Sequence, residues 1–94
     1  MENHKCIYKY PLEITDSQII ELKQGCEFLC LKEVCNIPTL YYLINPSNEF
    51  KSKTIRIFGT GHFIPAGELS RLIYLGTVVC NNGQLIWHVF EKLP

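Results

Sequence analysis

Leu72-Ile73-Tyr74-Leu75-Gly76-Thr77-Val78-Val79-Cys80, then Asn81-Asn82-Gly83, then Gln84-Leu85-Ile86-Trp87-His88-Val89-Phe90-Glu91, is the stretch that decides the fold. Two runs rich in β-branched and aromatic residues flank a cluster of turn formers, the pattern of an antiparallel hairpin. Asn-Gly is the preferred pair for a two-residue turn with both central residues in the left-handed region. Placing Asn82-Gly83 as that turn sets Val78 opposite Trp87 and Thr77 opposite His88. Both faces of this hairpin are apolar, which predicts a central place in its sheet rather than an edge.

Upstream, short apolar runs alternate with turn signals in the same way. A strand over Lys5–Tyr10 is stopped by Pro11. Gln18–Leu22 reads as a short strand leading through Lys23-Gln24-Gly25, as a hairpin turn, into Cys26–Val34; a short helix capped by Thr15-Asp16-Ser17 is the other reading. Cys35-Asn36 with Pro38 marks the next turn, and Thr39–Ile44 is strongly strand-prone. Asn45-Pro46-Ser47-Asn48 is a loop. In the strand Thr54–Phe58, Ile55 and Ile57 share one face while Thr54, Arg56 and Phe58 share the other. Ala66–Leu69 suggests a single helical turn. The fold class is therefore all-β: a small single-domain antiparallel β-sandwich or barrel of about six or seven short strands with a C-terminal hairpin, spanning residues 1–94.

Composition narrows the function classes. Lys and Arg total 9 and Asp and Glu total 9, so the net charge is zero and general nucleic-acid binding, which needs a basic surface, is not expected. No apolar run reaches the ~20 residues of a membrane span. The start, Met1-Glu2-Asn3-His4-Lys5, is polar and lacks an apolar leader, so the five cysteines (Cys6, Cys26, Cys30, Cys35 and Cys80) read as free thiols in a reducing cytosol. Cys26 and Cys30 lack the second close Cys/His pair of a zinc site, so no metal is expected. Neutrality and aromatic richness point to a homo-oligomer. Tyr41 and Tyr42 fall on opposite faces of one strand, so one of them meets solvent, a ligand or a partner.

The candidate chemistry lies at Arg56-Ile57-Phe58-Gly59-Thr60-Gly61-His62-Phe63. An apolar run stops at two glycines one residue apart. Glycine allows positive φ and close approach, so Gly-Thr-Gly can offer N–H groups to an anion, with Arg56 and His62 as cations and Phe58 and Phe63 as aromatic faces. The Gly-Lys-Ser/Thr ending of a phosphate-binding Walker loop is missing, and so is the dinucleotide fingerprint. On spacing alone, a glycine-rich bend of purely architectural purpose outweighs an anion nest. His88, inside an apolar strand beside Trp87, reads as a half-buried histidine with satisfied ring nitrogens.

Lys9-Tyr10-Pro11-Leu12, Arg56-Ile57-Phe58-Gly59-Thr60-Gly61-His62-Phe63-Ile64-Pro65, Tyr74-Leu75-Gly76-Thr77 and His88-Val89-Phe90-Glu91 together resemble a family of small proteins mostly encoded by bacteriophages and prophages. The resemblance covers nearly the whole chain. It implies a phage accessory protein acting in the cytoplasm of a bacterial host, and supplies no activity to carry over. The functional expectation is a noncatalytic protein that counters host defence by binding and sequestering a small nucleotide-derived signal molecule, with no cofactor. Its ligand residues would be Arg56, Phe58, Gly59, Thr60, Gly61, His62 and Phe63. The alternatives are a protein–protein inhibitor of a host factor or a structural subunit, and a small enzyme acting on a phosphorylated substrate with His62 as acid or base.

Overall fold

The computed structural model describes residues 4–94; Met1, Glu2 and Asn3, which begin the polar start, lie outside them. Seven strands and one helical turn follow in the order β1 (Cys6–Pro11), β2 (Ser17–Lys23), β3 (Glu27–Val34), β4 (Ile37–Ile44), β5 (Phe50–Gly59), α1 (Ala66–Leu69), β6 (Leu72–Cys80) and β7 (Leu85–Lys92). They form two antiparallel sheets, β1-β4-β3 and β2-β5-β7-β6, and no closed barrel. Alternation builds the core. Leu40, Tyr42 and Ile44 on β4 cluster with Ile55 and Ile57 on β5, Val89 on β7, Leu22 on β2 and Leu12 just after β1. Tyr42 is fully buried between Tyr10 and Phe28, while Tyr41 on the opposite face is half-buried. The molecule measures 49 × 33 × 16 Å, so the two layers leave no depth for an enclosed cavity. No helix among the described residues is long and apolar enough to cross a membrane.

Four local expectations change. The register of the last hairpin stands, with Val78 opposite Trp87 and Thr77 opposite His88. Its turn, however, takes four residues: Asn81, Asn82 and Gly83 all have positive φ (51°, 55° and 89°). Gly83 N–H donates to the Cys80 carbonyl at 3.1 Å and Gln84 N–H to that of Asn81 at 3.1 Å, so Gln84 belongs to the turn and not to the strand. The two-residue turn sits instead at Cys35-Asn36, where φ is 50° and 66° and Val34 pairs with Ile37. Pro38 is consequently a buried strand residue opposite Glu33, not a turn residue. Its place is the last rung of the β1 side of β4: the ladder ends at Pro11 opposite Thr39, and Leu12 N–H still donates to the Pro38 carbonyl at 2.9 Å, so only the one bond that proline cannot donate is missing.

Lys23-Gln24-Gly25 is not a hairpin turn. β2 pairs with β5 in one sheet and β3 with β4 in the other, and the chain crosses between layers at Gly25, φ 74°. Finally, β7 is central but β6 is an edge. The apolar second face of the hairpin is covered only in part, by side chains and the one-turn α1. Phe90 packs edge-on against Phe58 at 5.8 Å and tilted against Tyr74 at 5.4 Å.

Candidate functional site

The turn that ends β5 is built from glycine geometry. His62 N–H donates to the Gly59 carbonyl at 3.1 Å, closing a β-turn with Gly61 at φ 88° in its third position. The His62 ring folds back over Gly59. Gly59 N–H donates to Nδ1 at 3.3 Å, which leaves the proton of the neutral ring on Nε2. A Cβ on residue 59 would lie 2.9 Å from Cε1 of that ring. The two glycines thus serve separate needs: the first admits the imidazole, the second admits the backbone angle.

The remaining expected site residues are already engaged by neighbours. Thr60 Oγ1 lies 2.7 Å from His88 Nε2, and His88 Nδ1 lies 2.9 Å from Thr77 Oγ1, which in turn bonds the Tyr74 hydroxyl. Both ring nitrogens of His88 are satisfied, as its place in an apolar strand suggested. Arg56 is drawn toward α1: its Nε lies 2.9 Å from Glu68 Oε2, paired as charges without hydrogen-bond alignment, and its guanidinium covers the Phe58 ring at 4.7 Å. Phe58 is buried and Phe63 is 96% exposed. The structure therefore brings Gly59, Thr60, Gly61 and His62 together and directs Arg56 and Phe58 to an ion pair and an aromatic pair.

His62 separates two shallow grooves that share Gly59 and Trp87. One, of about 280 Å³, continues over Thr60, Gln84, Leu85 and Ile86. The other, of about 180 Å³, continues over Ile14, Thr15, Asp16 and Ile57. Their polar groups can hydrogen-bond a planar ligand, but only the imidazole could bring positive charge.

Positive charge collects elsewhere. Lys51, Lys53, Arg71 and Lys92 line a cleft of about 410 Å³ together with Ser52, Thr54 and Glu91. Lys53 pairs with Glu91 at 3.3 Å and Lys92 with Glu68 at 3.4 Å; among the described residues Lys51 and Arg71 form no ion pair. Four of the nine Lys and Arg of a neutral chain thus share one concavity. Nothing local marks it: Lys51 and Lys53 are two cations of β5, and Arg71 and Lys92 lie 18 or more positions further along the chain. Only the pairing of β5 with β7 and of β6 with β7 brings them together.

Among the described residues no three His, Cys, Asp or Glu side chains converge as metal ligands. Cys6, Cys26 and Cys30 are half-buried free thiols, Cys35 is an exposed one at the two-residue turn, and Cys80 is buried, which pushes its thiol pKa up. No curated protein and no solved structure matches the chain. A family model described as Domain of unknown function (DUF7352) matches residues 3–94, and the chain belongs to that family.

Proposed function

We propose that this protein is a noncatalytic binding module that sequesters a small nucleotide-derived anion, and that it holds the charged part of that ligand in the cleft of Lys51, Lys53, Arg71 and Lys92. The observation that carries this reading is the concentration of four cations and one carboxylate in a single concavity of a neutral protein. Guanidinium and ammonium groups bind phosphate oxygens by charge-assisted hydrogen bonds, and Arg71 can do so bidentately. A volume of about 410 Å³ suits a small ligand. The resemblance to phage-encoded proteins gives capture a purpose: withdrawing a signal molecule from a host defence in the bacterial cytoplasm. The competing location is the turn of Gly59, Thr60, Gly61 and His62 with Arg56, Phe58 and Phe63 around it.

Thermal melting against a panel of linear and cyclic nucleotides tests both locations. One or more nucleotides should raise the melting temperature, and added salt should diminish the effect. Losing one charge-assisted bond costs about 1.5–3 kcal/mol, so Arg71→Ala or Lys51→Ala should weaken binding roughly ten- to hundredfold. His62→Ala and Thr60→Ala should leave it unchanged. The opposite pattern moves the site to the turn, and a panel with no response defeats the nucleotide reading.

A further inference from the structure

Exposed sheet edges offer unpaired N–H and C=O groups to any other strand, and folded chains blunt them with charges, prolines or bulges. Three of the four edges here are blunted. β1 carries Lys9 and Pro11, β2 carries Glu21 and Lys23, and β3 carries Glu27, Lys32 and Glu33. β6, Leu72–Cys80, has nine residues and neither a charge nor a proline. Its one irregularity, between Tyr74 and Gly76, occurs where it pairs with β7. Among the described residues no strand pairs with its other side. Ile73, Tyr74 and Val79 on it are 44%, 58% and 51% exposed.

We propose that a second copy of this chain pairs its own β6 antiparallel to this one, joining the two four-stranded sheets into a single continuous sheet. The composition of the edges selects this occupant. An uncharged strand pairs with β6 without burying a charge, and among the four sheet edges of the described residues only β6 itself is uncharged. Symmetry selects it as well. Joining β6 to β6 about a two-fold axis consumes both open edges at once and closes the assembly. Joining β6 to β1, β2 or β3 of another copy is a head-to-tail contact, which leaves a β6 open at the end of every assembly unless its rotation happens to close a ring. Zero net charge opposes neither approach, and the row of Tyr74 and Val79 would continue into the same row of the partner copy. The same pairing accounts for a strand that has the apolar faces of a central element and yet lies at the margin of the single chain.

Sedimentation velocity combined with amide hydrogen exchange on the full chain tests the proposal. The unmodified protein should sediment as twice 10.9 kDa, with the β6 amides that point away from β7 exchanging slowly. Val79→Lys, a change on an exposed side chain, should weaken the dimer at least tenfold and release those same amides while β7 stays protected. A monomer, or a dimer whose outward β6 amides exchange freely, overturns the proposal, and so does a folded Val79→Lys protein that dimerises as before. Should that variant not fold, the exchange pattern of the unmodified protein decides by itself. Lys51→Ala and Arg71→Ala should leave the dimer intact, so failure of the cleft reading and failure of this one are separable.

Discussion

Replacing Gly59 by alanine puts a methyl group 2.9 Å from Cε1 and 3.0 Å from Nδ1 of His62. The ring is on an exposed side chain and can swing away, so the clash is relieved by losing the Gly59 N–H to Nδ1 bond. That loss costs about 0.5–1.5 kcal/mol. Gly59 itself is not in the left-handed region, so alanine also narrows the unfolded ensemble, a gain of about 0.4–1 kcal/mol. The two nearly cancel, and Gly59→Ala alone should change stability by less than about 1 kcal/mol. The informative quantity is the double-mutant cycle with His62→Ala. Without the ring, only the entropic gain is left, and Gly59→Ala should stabilise by about 0.4–1 kcal/mol. The coupling between the two positions should be about 0.5–1.5 kcal/mol, and each kcal/mol corresponds to about 4–8 °C in a chain of this size. Urea unfolding of the four proteins at one pH measures it. Gly61→Ala is the control: its φ of 88° makes alanine cost about 1–2 kcal/mol whether or not His62 is present. Additivity of Gly59→Ala and His62→Ala would refute the account of why residue 59 is glycine.

The core and the ion pair over the second sheet make further predictions. The Tyr42 hydroxyl is buried without a hydrogen-bond partner, so Tyr42→Phe should leave stability unchanged or raise it, whereas Tyr42→Ala should cost about 3–5 kcal/mol; denaturant midpoints distinguish the two. Burial, and secondarily the charge of Glu91, hold the Tyr42 phenol above its ordinary value of 10.0, and burial does the same for the Cys80 thiol above 9.0. The unfolded chain therefore loses these protons first. The stability they contribute is present in full below pH 9 and falls as pH rises past 9 and then 10, and Tyr42→Phe should flatten the upper part of a melting profile taken across that range. Glu68 draws Arg56 and Lys92 to α1. Glu68→Gln should cost about 1–3 kcal/mol, because it leaves a largely buried guanidinium without its counter-charge. The same variant frees Arg56 beside the turn and Lys92 in the cleft alike, so it should tighten nucleotide binding in either location, and Arg71→Ala against His62→Ala is the pair that assigns the site.

Features that depend on neighbours along the chain were legible before the fold. Alternation in Thr39–Ile44 and Thr54–Phe58 separated the two faces of each strand, because side chains of a strand point alternately to its two sides, while which face is buried came from the packing of the two sheets. The asparagine–glycine cluster placed the last hairpin and even its register, Thr77 with His88 and Val78 with Trp87, because the hairpin joins adjacent segments. The turn itself was misjudged by two residues, since three consecutive left-handed residues satisfy the same pairing as a tighter loop. Contacts between partners distant in sequence were not legible there. β2 abandons β3 for β5, Pro38 is buried with Leu12 bonded to its carbonyl, and Thr60 meets His88 across 28 positions. Arg56 goes to Glu68 rather than to the glycine turn, because α1 folds back over the sheet and carries a carboxylate there. The cationic cleft has no local signature at all: Lys51, Arg71 and Lys92 become neighbours only when β5, β6 and β7 pair, and hydrogen-bonded ladders between remote segments leave no mark in the composition of either one.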